Sequence, residues 1–225
     1  MVVTPHPDDA EFGVAGTVAK WVAEKKSVVY VVCTNGDKGT SDINMKPEEL
    51  ARIREQEQLA AAKLLGVGDV IFLRYPDQAL EDTPEFRKQI VRLIRMYQPE
   101  TVATVDPYQR YFWWHRDHRI TGRVTLDAIF PYARDFYSYP DLLKEGLQPH
   151  RVSEVLLWSP EESNYRSDIT STFDIKIAAL SCHKSQLGNN LPPEWEERLR
   201  QWHKMMAEGE NFELAEAFHR VEIWW

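Results

Sequence analysis

The sequence predicts an α/β fold, in which a mostly parallel sheet is flanked by helices on both faces. Apolar runs at residues 1–4 and 28–34 predict two buried strands, and the stretch between them, residues 13–24, repeats its apolar side chains at helical spacing. Strand and helix patterns continue to alternate beyond residue 34. Such alternation is typical of a parallel sheet whose strands are connected by helices, a Rossmann-like arrangement.

Boundary residues justify the later elements. Pro47 stands at the start of a long helical pattern and Gly66 at its end, which are the preferred positions of these two residue types. Thr83 followed by Pro84 begins another helix in the same way. The predicted elements after residue 34 are a helix at 47–65, a strand at 70–73, a helix at 83–97, strands at 101–105 and 152–158, and a helix at 173–187.

The last part of the chain predicts a helical, aromatic-rich extension. Two polar helical patterns follow residue 192, and their large aromatic residues are Trp195, Trp202, Phe212 and Phe218. We therefore divide the chain into an α/β domain at residues 1–190 and a C-terminal helical extension at residues 191–225. The aromatic side chains predict that this extension packs on the same domain or on a subunit interface, so a homo-oligomer is one expectation.

The composition excludes several classes of function. A net charge of −8, from 27 basic and 35 acidic residues in a chain of 225, argues against nucleic acid or an anionic membrane as the main partner. Two cysteines, Cys33 and Cys182, give no disulfide framework. No apolar run has the length of a membrane span and no signal-peptide pattern is visible, so we expect a cytoplasmic protein.

Two clusters of histidine and carboxylate residues follow predicted strands. Residues 6–11, directly after the first strand, contain one imidazole and three carboxylates, and the run HRDH at residues 115–118 follows the strand at 101–105. The carboxyl ends of parallel strands meet at one edge of the sheet, where α/β proteins bind their ligands. We therefore expect both clusters to form one site.

The spacing within these clusters predicts a metal site. His6 and Asp9 lie three residues apart at a strand end. The distant run at residues 115–118 supplies a third ligand, for which His118 is the candidate and His115 the alternative, and this leaves positions open for water. Two imidazoles and one carboxylate suit one Zn²⁺ per chain, and Fe²⁺ would fit the same set. Asp8 is then the candidate general base. The alternatives are that His6 is a capping or core histidine and that Asp8 caps a helix.

Five stretches of the sequence resemble one protein family. The run PHPDDAE at residues 5–11 resembles the HPDD-x-E signature of the LmbE-like, or PIG-L-like, N-acetylglucosamine deacetylases, and residues 115–118 resemble the family's H-x-D-H motif. Residues 54–57, 76–80 and 176–186 resemble further motifs of the family in the same order. The resemblance extends from residue 3 to about residue 187.

This resemblance implies a zinc-dependent hydrolase that removes an N-acetyl group from an N-acetylglucosamine-type sugar or sugar conjugate. A small acetylated amino sugar is then the partner, and residues 1–190 form the catalytic domain. Asp8 would deprotonate a water held at the metal. His115 would act as an acid or stabilise the oxyanion, or else serve as a third imidazole ligand, and Asp117 would orient one of the histidines.

Candidate substrate-binding residues follow mainly from the same resemblance. Arg54 and Asp77 are predicted to bind sugar hydroxyls, since charge-assisted hydrogen bonds are short and directional. Arg54 on a solvated helix face is the alternative. Arg151 is a third candidate for the same pocket, and His183 is expected to pack or cap within its helix.

Departures from the family and rival functions stay open at this point. Ala79 stands where the family usually has glycine, and Tyr111-Phe112-Trp113-Trp114 is unusually aromatic. The glycine-containing loop at residues 35–40 lacks the phosphate-binding patterns and predicts a mobile loop beside the site. The rival functions are a metallohydrolase of another bond, such as a phosphate ester, which often needs two metals, and a non-catalytic metal- or sugar-binding protein.

Overall fold

A single seven-stranded sheet with the strand order β3-β2-β1-β4-β5-β7-β6 forms the centre of the fold in a computed structural model, which describes residues 1–110, 115–188, 192 and 194–224. The strands are β1 (Val2–Thr4), β2 (Val29–Thr34), β3 (Asp69–Tyr75), β4 (Thr101–Val105), β5 (Glu154–Trp158), β6 (Tyr165–Asp168) and β7 (Ala215–Glu222). Strands β1 to β5 pair with one another in parallel, and β7 is antiparallel to both β5 and β6. The prediction of a mostly parallel sheet is confirmed.

Helices cover both faces of this sheet because successive strand residues point to opposite sides. Val2 in β1 belongs to the same buried cluster as Val18 on one face, whereas its neighbour Val3 belongs to the cluster of Phe86 and Ile90 on the other. The helices are α1 (Asp9–Gly13), α2 (Ala15–Ala23), α3 (Pro47–Leu65), α4 (Pro84–Tyr97), α5 (Arg116–Asp127), α6 (Pro140–Lys144), α7 (Phe173–Leu180), α8 (Lys184–Leu187) and α9 (Trp195–Met206), with an irregular helical segment at Ala128–Tyr132. Within the ranges described, none of them is both long and apolar enough to span a membrane.

The prediction for residues 191–225 is right for its first half and wrong for its second. Residues Trp195–Met206 form α9, but the second helical pattern is the strand β7, which lies between β5 and β6. Glu216 hides the strand pattern in the sequence. A half-buried strand alternates apolar and polar residues, but here the carboxylate of Glu216 is buried beside buried Ala215. The helix predicted at residues 173–187 is also interrupted, since α7 ends at Leu180 and α8 begins only at Lys184.

A buried ion pair explains why Glu216 is inside the fold. Lys176 Nζ in α7 lies 2.6 Å from Glu216 Oε1, and neither side chain is more than 1% exposed. The Glu216 carboxylate also accepts hydrogen bonds from the backbone N–H groups of Gly16 and Thr17, in the first turn of α2. Lys176 donates a second hydrogen bond to the carbonyl of Phe12. One ion pair therefore joins β7 to α1, α2 and α7 and satisfies donors that the start of α2 would otherwise leave unpaired.

We expect Lys176→Met to lower the free energy of unfolding by about 3–5 kcal/mol, because it leaves the Glu216 carboxylate buried without its cation. Urea denaturation measures this loss. The matched control is Arg200→Met, which removes a cation that pairs with the exposed carboxylate of Asp174 and should change stability little. Equal stability losses in the two variants would contradict this role of the buried pair.

Candidate metal centre and active site

Four loops at the carboxyl edge of the sheet bring the two predicted clusters together. The loop after β1 carries residues 5–9, the loop after β2 carries residues 35–40, the loop after β3 carries residues 76–78, and the loop after β4 leads to residues 115–118. These strands are neighbours in the sheet, so their ends converge. The expectation that both clusters lie at one place holds in the structure.

His6 lies at the centre of this convergence, among three carboxylates. Its Nδ1 atom is 2.8 Å from Asp9 Oδ2, and its Nε2 atom is 3.1 Å from Asp77 Oδ1 and 3.2 Å from Asp117 Oδ2. Burial by itself would lower the pKa of His6, but hydrogen bonds to the three carboxylates raise this pKa well above its usual value. The site therefore concentrates negative charge around one imidazole.

Asp9 connects His6 to His118. The same Oδ2 atom of Asp9 that contacts His6 lies 3.2 Å from His118 Nε2. Burial would raise the pKa of Asp9, but the two histidines lower this pKa well below its ordinary value. The three side chains predicted as metal ligands are thus in mutual contact around one carboxylate oxygen.

The donor set fits a divalent metal ion. The ring nitrogens of His6, His115 and His118 lie within 4.8 Å of one another. A second group with the same spread joins His6 and His115 to the carboxylates of Asp77 and Asp117. Imidazole and carboxylate are the ligands that zinc and ferrous iron accept in hydrolytic and oxidative sites. Carboxylates that also contact a ligand histidine are the usual outer partners of such sites.

Asp8 is held in a backbone conformation that non-glycine residues rarely adopt. Its φ angle is +109°, its backbone N–H donates to Gln58 Oε1 at 3.1 Å, and its carboxylate accepts from Arg54 Nη2 at 3.2 Å. The side chain makes no capping hydrogen bond to α1, which removes the helix-cap interpretation. Burial, together with the neighbouring Asp9 charge, raises the pKa of Asp8 to about 7. A carboxylate with such a pKa is suited to accept and return a proton near neutral pH.

The Arg54 side chain is buried and bonds to other groups of the protein. The residue is 4% exposed, so the interpretation of a solvated helix face is wrong. Its Nη1 atom donates to the carbonyl of Gly36 at 2.9 Å, and Nη2 donates to the carbonyl of Pro7 at 2.6 Å as well as to Asp8. A Cβ atom at Gly36 or Gly39 would lie 2.5 Å from Nη1, so a side chain at either position would displace the guanidinium from where it lies. Contact of Arg54 with a sugar hydroxyl stays a prediction.

The loop at residues 35–40 lies beside the site, as predicted, and is anchored at several points. Besides the bond from Arg54, the Lys38 side chain donates to the backbone carbonyl of Asp77, and Gly39 accepts a hydrogen bond from Gln186 at 3.0 Å. Burial would raise the pKa of Asp77, but the hydrogen bond and charge of His6 and the charge of His115 lower this pKa to about 2. Asp77 therefore stays ionised beside the histidines.

Asp117 and His115 occupy the other side of His6. Asp117 is buried and accepts backbone hydrogen bonds from Gln78 at 2.7 Å and Leu80 at 3.2 Å in addition to contacting His6. His115 is about one third exposed, and its Nδ1 atom accepts the backbone N–H of Asp117 at 3.2 Å. Burial, followed by the charges of His6 and His118, lowers the pKa of His115. Asp117 thus orients His6 and fixes the turn after β3.

Arg151 is the one predicted site residue that the structure places elsewhere. It precedes β5, whose first residue, Glu154, pairs with Thr101 at the start of the parallel strand β4. Arg151 therefore lies at the amino edge of the sheet, opposite the edge that holds His6. The aromatic stretch Tyr111-Phe112-Trp113-Trp114 lies outside the described residues.

Three residues around Asp8 were not assigned a role in the site from the sequence. Gln58 bonds to the Asp8 backbone and to Glu11, and His183 bonds to Glu11 from the other side, instead of capping its own helix. The spacing of Arg54 and Gln58, one helical turn apart, is a signal that places both on one face of α3. The contact between His183 and Glu11 has no such local signal.

Comparisons with known proteins identify the family of the chain. The sequence model of the family described as "PIG-L: GlcNAc-PI de-N-acetylase" matches residues 1–129. The chain belongs to this family. It is 34% identical over 200 residues to the diacetylchitobiose deacetylase of Thermococcus kodakarensis, an alignment that covers 89% of this chain and 74% of that protein.

The chain is also similar to a bacterial relative and to a solved structure. The chain is 28% identical over 214 residues to the probable N-acetyl-α-D-glucosaminyl L-malate deacetylase 2 of Bacillus anthracis, covering 90% of this chain and 93% of that protein. The solved structure of N,N'-diacetylchitobiose deacetylase from Pyrococcus horikoshii superposes with a TM-score of 0.92 at 32% identity, covering 98% of this chain and 82% of that one. The α/β fold and its membership of a deacetylase family therefore rest on sequence and structure together.

We expect His118→Ala to lose bound metal and His115→Ala to retain it. His118 Nε2 faces Asp9, whereas His115 uses Nδ1 to accept the Asp117 N–H and is the more exposed of the two. Metal analysis of dialysed protein measures both, with His219→Ala as a control for a histidine that bonds to the carbonyl of Glu162 outside the cluster. Metal loss in His115→Ala alone would exchange the roles of the two histidines.

Proposed function

We propose that this protein is a zinc-dependent deacetylase that removes the N-acetyl group from an N-acetylglucosamine-type sugar or sugar conjugate. The observation that carries the proposal is the position of Asp8, whose carboxylate is held by Arg54 and feels the charge of Asp9, while Asp9 contacts His6 and His118. A candidate base beside a candidate metal centre is the arrangement that hydrolysis of an amide needs. Two relatives support the class of substrate, one named a diacetylchitobiose deacetylase and the other a probable N-acetyl-α-D-glucosaminyl L-malate deacetylase.

One zinc ion per chain would be held by His6, Asp9 and His118, and Fe²⁺ would fit the same residues. When bound, zinc supplies Lewis acidity, which acidifies water and polarises a carbonyl oxygen. Asp117 and Asp77, which contact His6, would fix the orientation of its ring. These buried carboxylates would also offset the charge of the ion.

Asp8 carries the proton during the reaction. One oxygen of its carboxylate accepts a proton from the attacking water while the water oxygen bonds to the acetyl carbonyl carbon. The C–N bond then breaks, and the leaving nitrogen takes the proton from Asp8. The products are the free amine of the sugar and acetic acid, which ionises to acetate. The Arg54 guanidinium keeps the Asp8 carboxylate in place throughout.

His115 stabilises the charge that develops on the carbonyl oxygen. Its Nδ1 atom accepts a hydrogen bond from the Asp117 N–H, so the neutral ring carries its proton on Nε2. That N–H can donate to an oxyanion without prior protonation of the ring. The partial exposure of His115 suits a group that faces the substrate.

The substrate contacts proposed at Arg54 and Asp77 would be made at the edge of this network. Both residues are buried and already bonded within the protein, so any sugar hydroxyl would share their remaining capacity. Arg151 leaves the proposed set because it lies at the other edge of the sheet. The cytoplasmic location and the homo-oligomer stay predictions.

We expect metal-free protein to release amine from N-acetylglucosamine derivatives only after one equivalent of Zn²⁺ is restored. A fluorogenic amine reagent measures the product across free sugar, disaccharide and sugar-conjugate substrates. Simple phosphate monoesters and diesters are assayed in parallel. Turnover of the phosphate esters alone, or no turnover with one zinc ion tightly bound, would contradict the proposal.

The matched variant in the same assay is Asp8→Asn, which keeps the shape of the side chain but cannot accept a proton. We expect it to bind zinc fully and to lose a factor of about 10² or more in kcat. Asp168→Asn, in β6 and remote from the cluster, is the control for a neutralised carboxylate. Full activity of zinc-loaded Asp8→Asn would remove Asp8 as the base.

A further inference from the structure

A series of buried hydrogen bonds connects Asp8 to a histidine in the second half of the chain. The backbone N–H of Asp8 donates to Gln58 Oε1 at 3.1 Å, and Gln58 Nε2 donates to Glu11 Oε1 at 2.9 Å. The other oxygen of Glu11, Oε2, lies 3.1 Å from His183 Nε2. Gln58, Glu11 and His183 are fully buried. The series therefore extends from the candidate base to the turn between α7 and α8 without reaching solvent.

The direction of each bond is set by the Glu11 carboxylate. An ionised carboxylate only accepts hydrogen bonds, so the NH₂ group of Gln58 must face Glu11 and its carbonyl oxygen must then face Asp8. His183 likewise places its Nε2–H toward Glu11. Removal of His183 would leave one oxygen of a buried carboxylate without a donor, which is costly. Glu11 would then no longer be held in place by His183, and the Gln58 amide, which donates to Glu11, would lose its fixed orientation.

Asp8 depends on such support because its backbone is strained. A φ of +109° costs energy for a residue with a side chain and persists only where the surroundings impose it. Arg54 and Gln58, one turn apart on α3, hold Asp8 from two sides, the first by its carboxylate and the second by its N–H. If either contact is lost, the carboxylate is free to leave its position next to Asp9.

The turn that carries His183 also fixes the surroundings of Arg54. Ser185 bonds to Glu57 on α3 through its backbone N–H at 2.7 Å and its hydroxyl at 2.6 Å. Gln186 donates to the carbonyl of Gly39, in the loop that closes over the guanidinium of Arg54. Three polar residues at the start of α8, His183 just before it and Ser185 and Gln186 within it, thus bond to Glu11, to α3 and to the loop beside Arg54.

We propose that His183 and Glu11 are positioning residues for Asp8, acting through Gln58, and that neither touches the substrate. The catalytic consequence rests on the proposed function, whereas the geometric consequence does not. His203 offers a matched comparison, because it is also buried, bonds through one ring nitrogen to the carbonyl of Ala215 and leaves the other without a hydrogen-bond partner. It packs against Phe173, away from the cluster.

The test compares His183→Ala with His203→Ala by melting temperature, metal content, kcat and KM. We expect similar losses of melting temperature and full metal content in both. In His183→Ala, kcat should fall by about 10- to 100-fold with KM within about threefold, since small displacements of a catalytic group cost rate rather than binding. In His203→Ala, kcat should stay within about twofold of the wild type. Equal effects on kcat in the two variants would overturn the proposal.

Gln58→Met is the second variant, and it keeps the experiment decisive if His183→Ala fails to fold. It removes both bonds of Gln58 while preserving the length of the side chain. A crystal structure of this variant should show Asp8 displaced from Arg54 and its φ relaxed from +109°. Asp8 in its original place, with kcat unchanged, would overturn the positioning role.

The two proposals fail in different ways. Wild-type protein that is inactive on every acetylated sugar, combined with a displaced Asp8 in Gln58→Met, would sustain the positioning role and overturn the proposed function. Active wild-type protein, combined with a Gln58→Met variant that is fully active and keeps Asp8 in place, would sustain the proposed function and overturn the positioning role. Replacing His183 by Gln, which restores an N–H donor toward Glu11, should recover part of the kcat that His183→Ala loses.

Discussion

The whole site depends on where the short central strand β1 ends. β1 has three residues and pairs in parallel with β2 on one side and β4 on the other, Val2 lying opposite Tyr30 and Ala103. Val2 and Val3 are buried on opposite faces, so a slip of one residue would exchange their environments and is strongly disfavoured. Because this register is fixed, His6 enters the space where the loops after β2, β3 and β4 meet.

Electrostatics then determine what this space can hold. Asp9, Asp77 and Asp117 all contact His6, and Asp8 is adjacent to Asp9 in the chain. Four carboxylates are therefore clustered in one small part of the site. Burying carboxylates without cations is costly. His6, His118 and Arg54 balance part of this negative charge, and a divalent ion bound between the imidazoles would balance the rest. Burial, together with the charge of the adjacent Asp9, raises the pKa of Asp8 to about 7, whereas the two histidines keep the pKa of Asp9 well below its ordinary value.

Local sequence signals predicted the fold and the centre of the site, and non-local contacts account for what they missed. His6, Asp9 and His118 could be placed together because each follows a strand of one parallel sheet. The sequence does not predict the strand β7, because Glu216 can be buried only through its ion pair with Lys176, a residue distant in sequence. Arg54 as a residue that binds sugar hydroxyls stays a prediction. Its protein partners, the carbonyls of Pro7 and Gly36, have no signal in the sequence because only the folded loops place them beside it.

X-ray diffraction from zinc-loaded crystals, recorded on both sides of the zinc absorption edge, tests most directly which side chains hold the ion. We expect one anomalous peak per chain at about 2.0–2.2 Å from a ring nitrogen of His6, a ring nitrogen of His118 and a carboxylate oxygen of Asp9. The Asp8 carboxylate should lie beside the ion without binding it. A peak held by His115, Asp77 and Asp117 instead would contradict the assignment of the metal ligands and of the base.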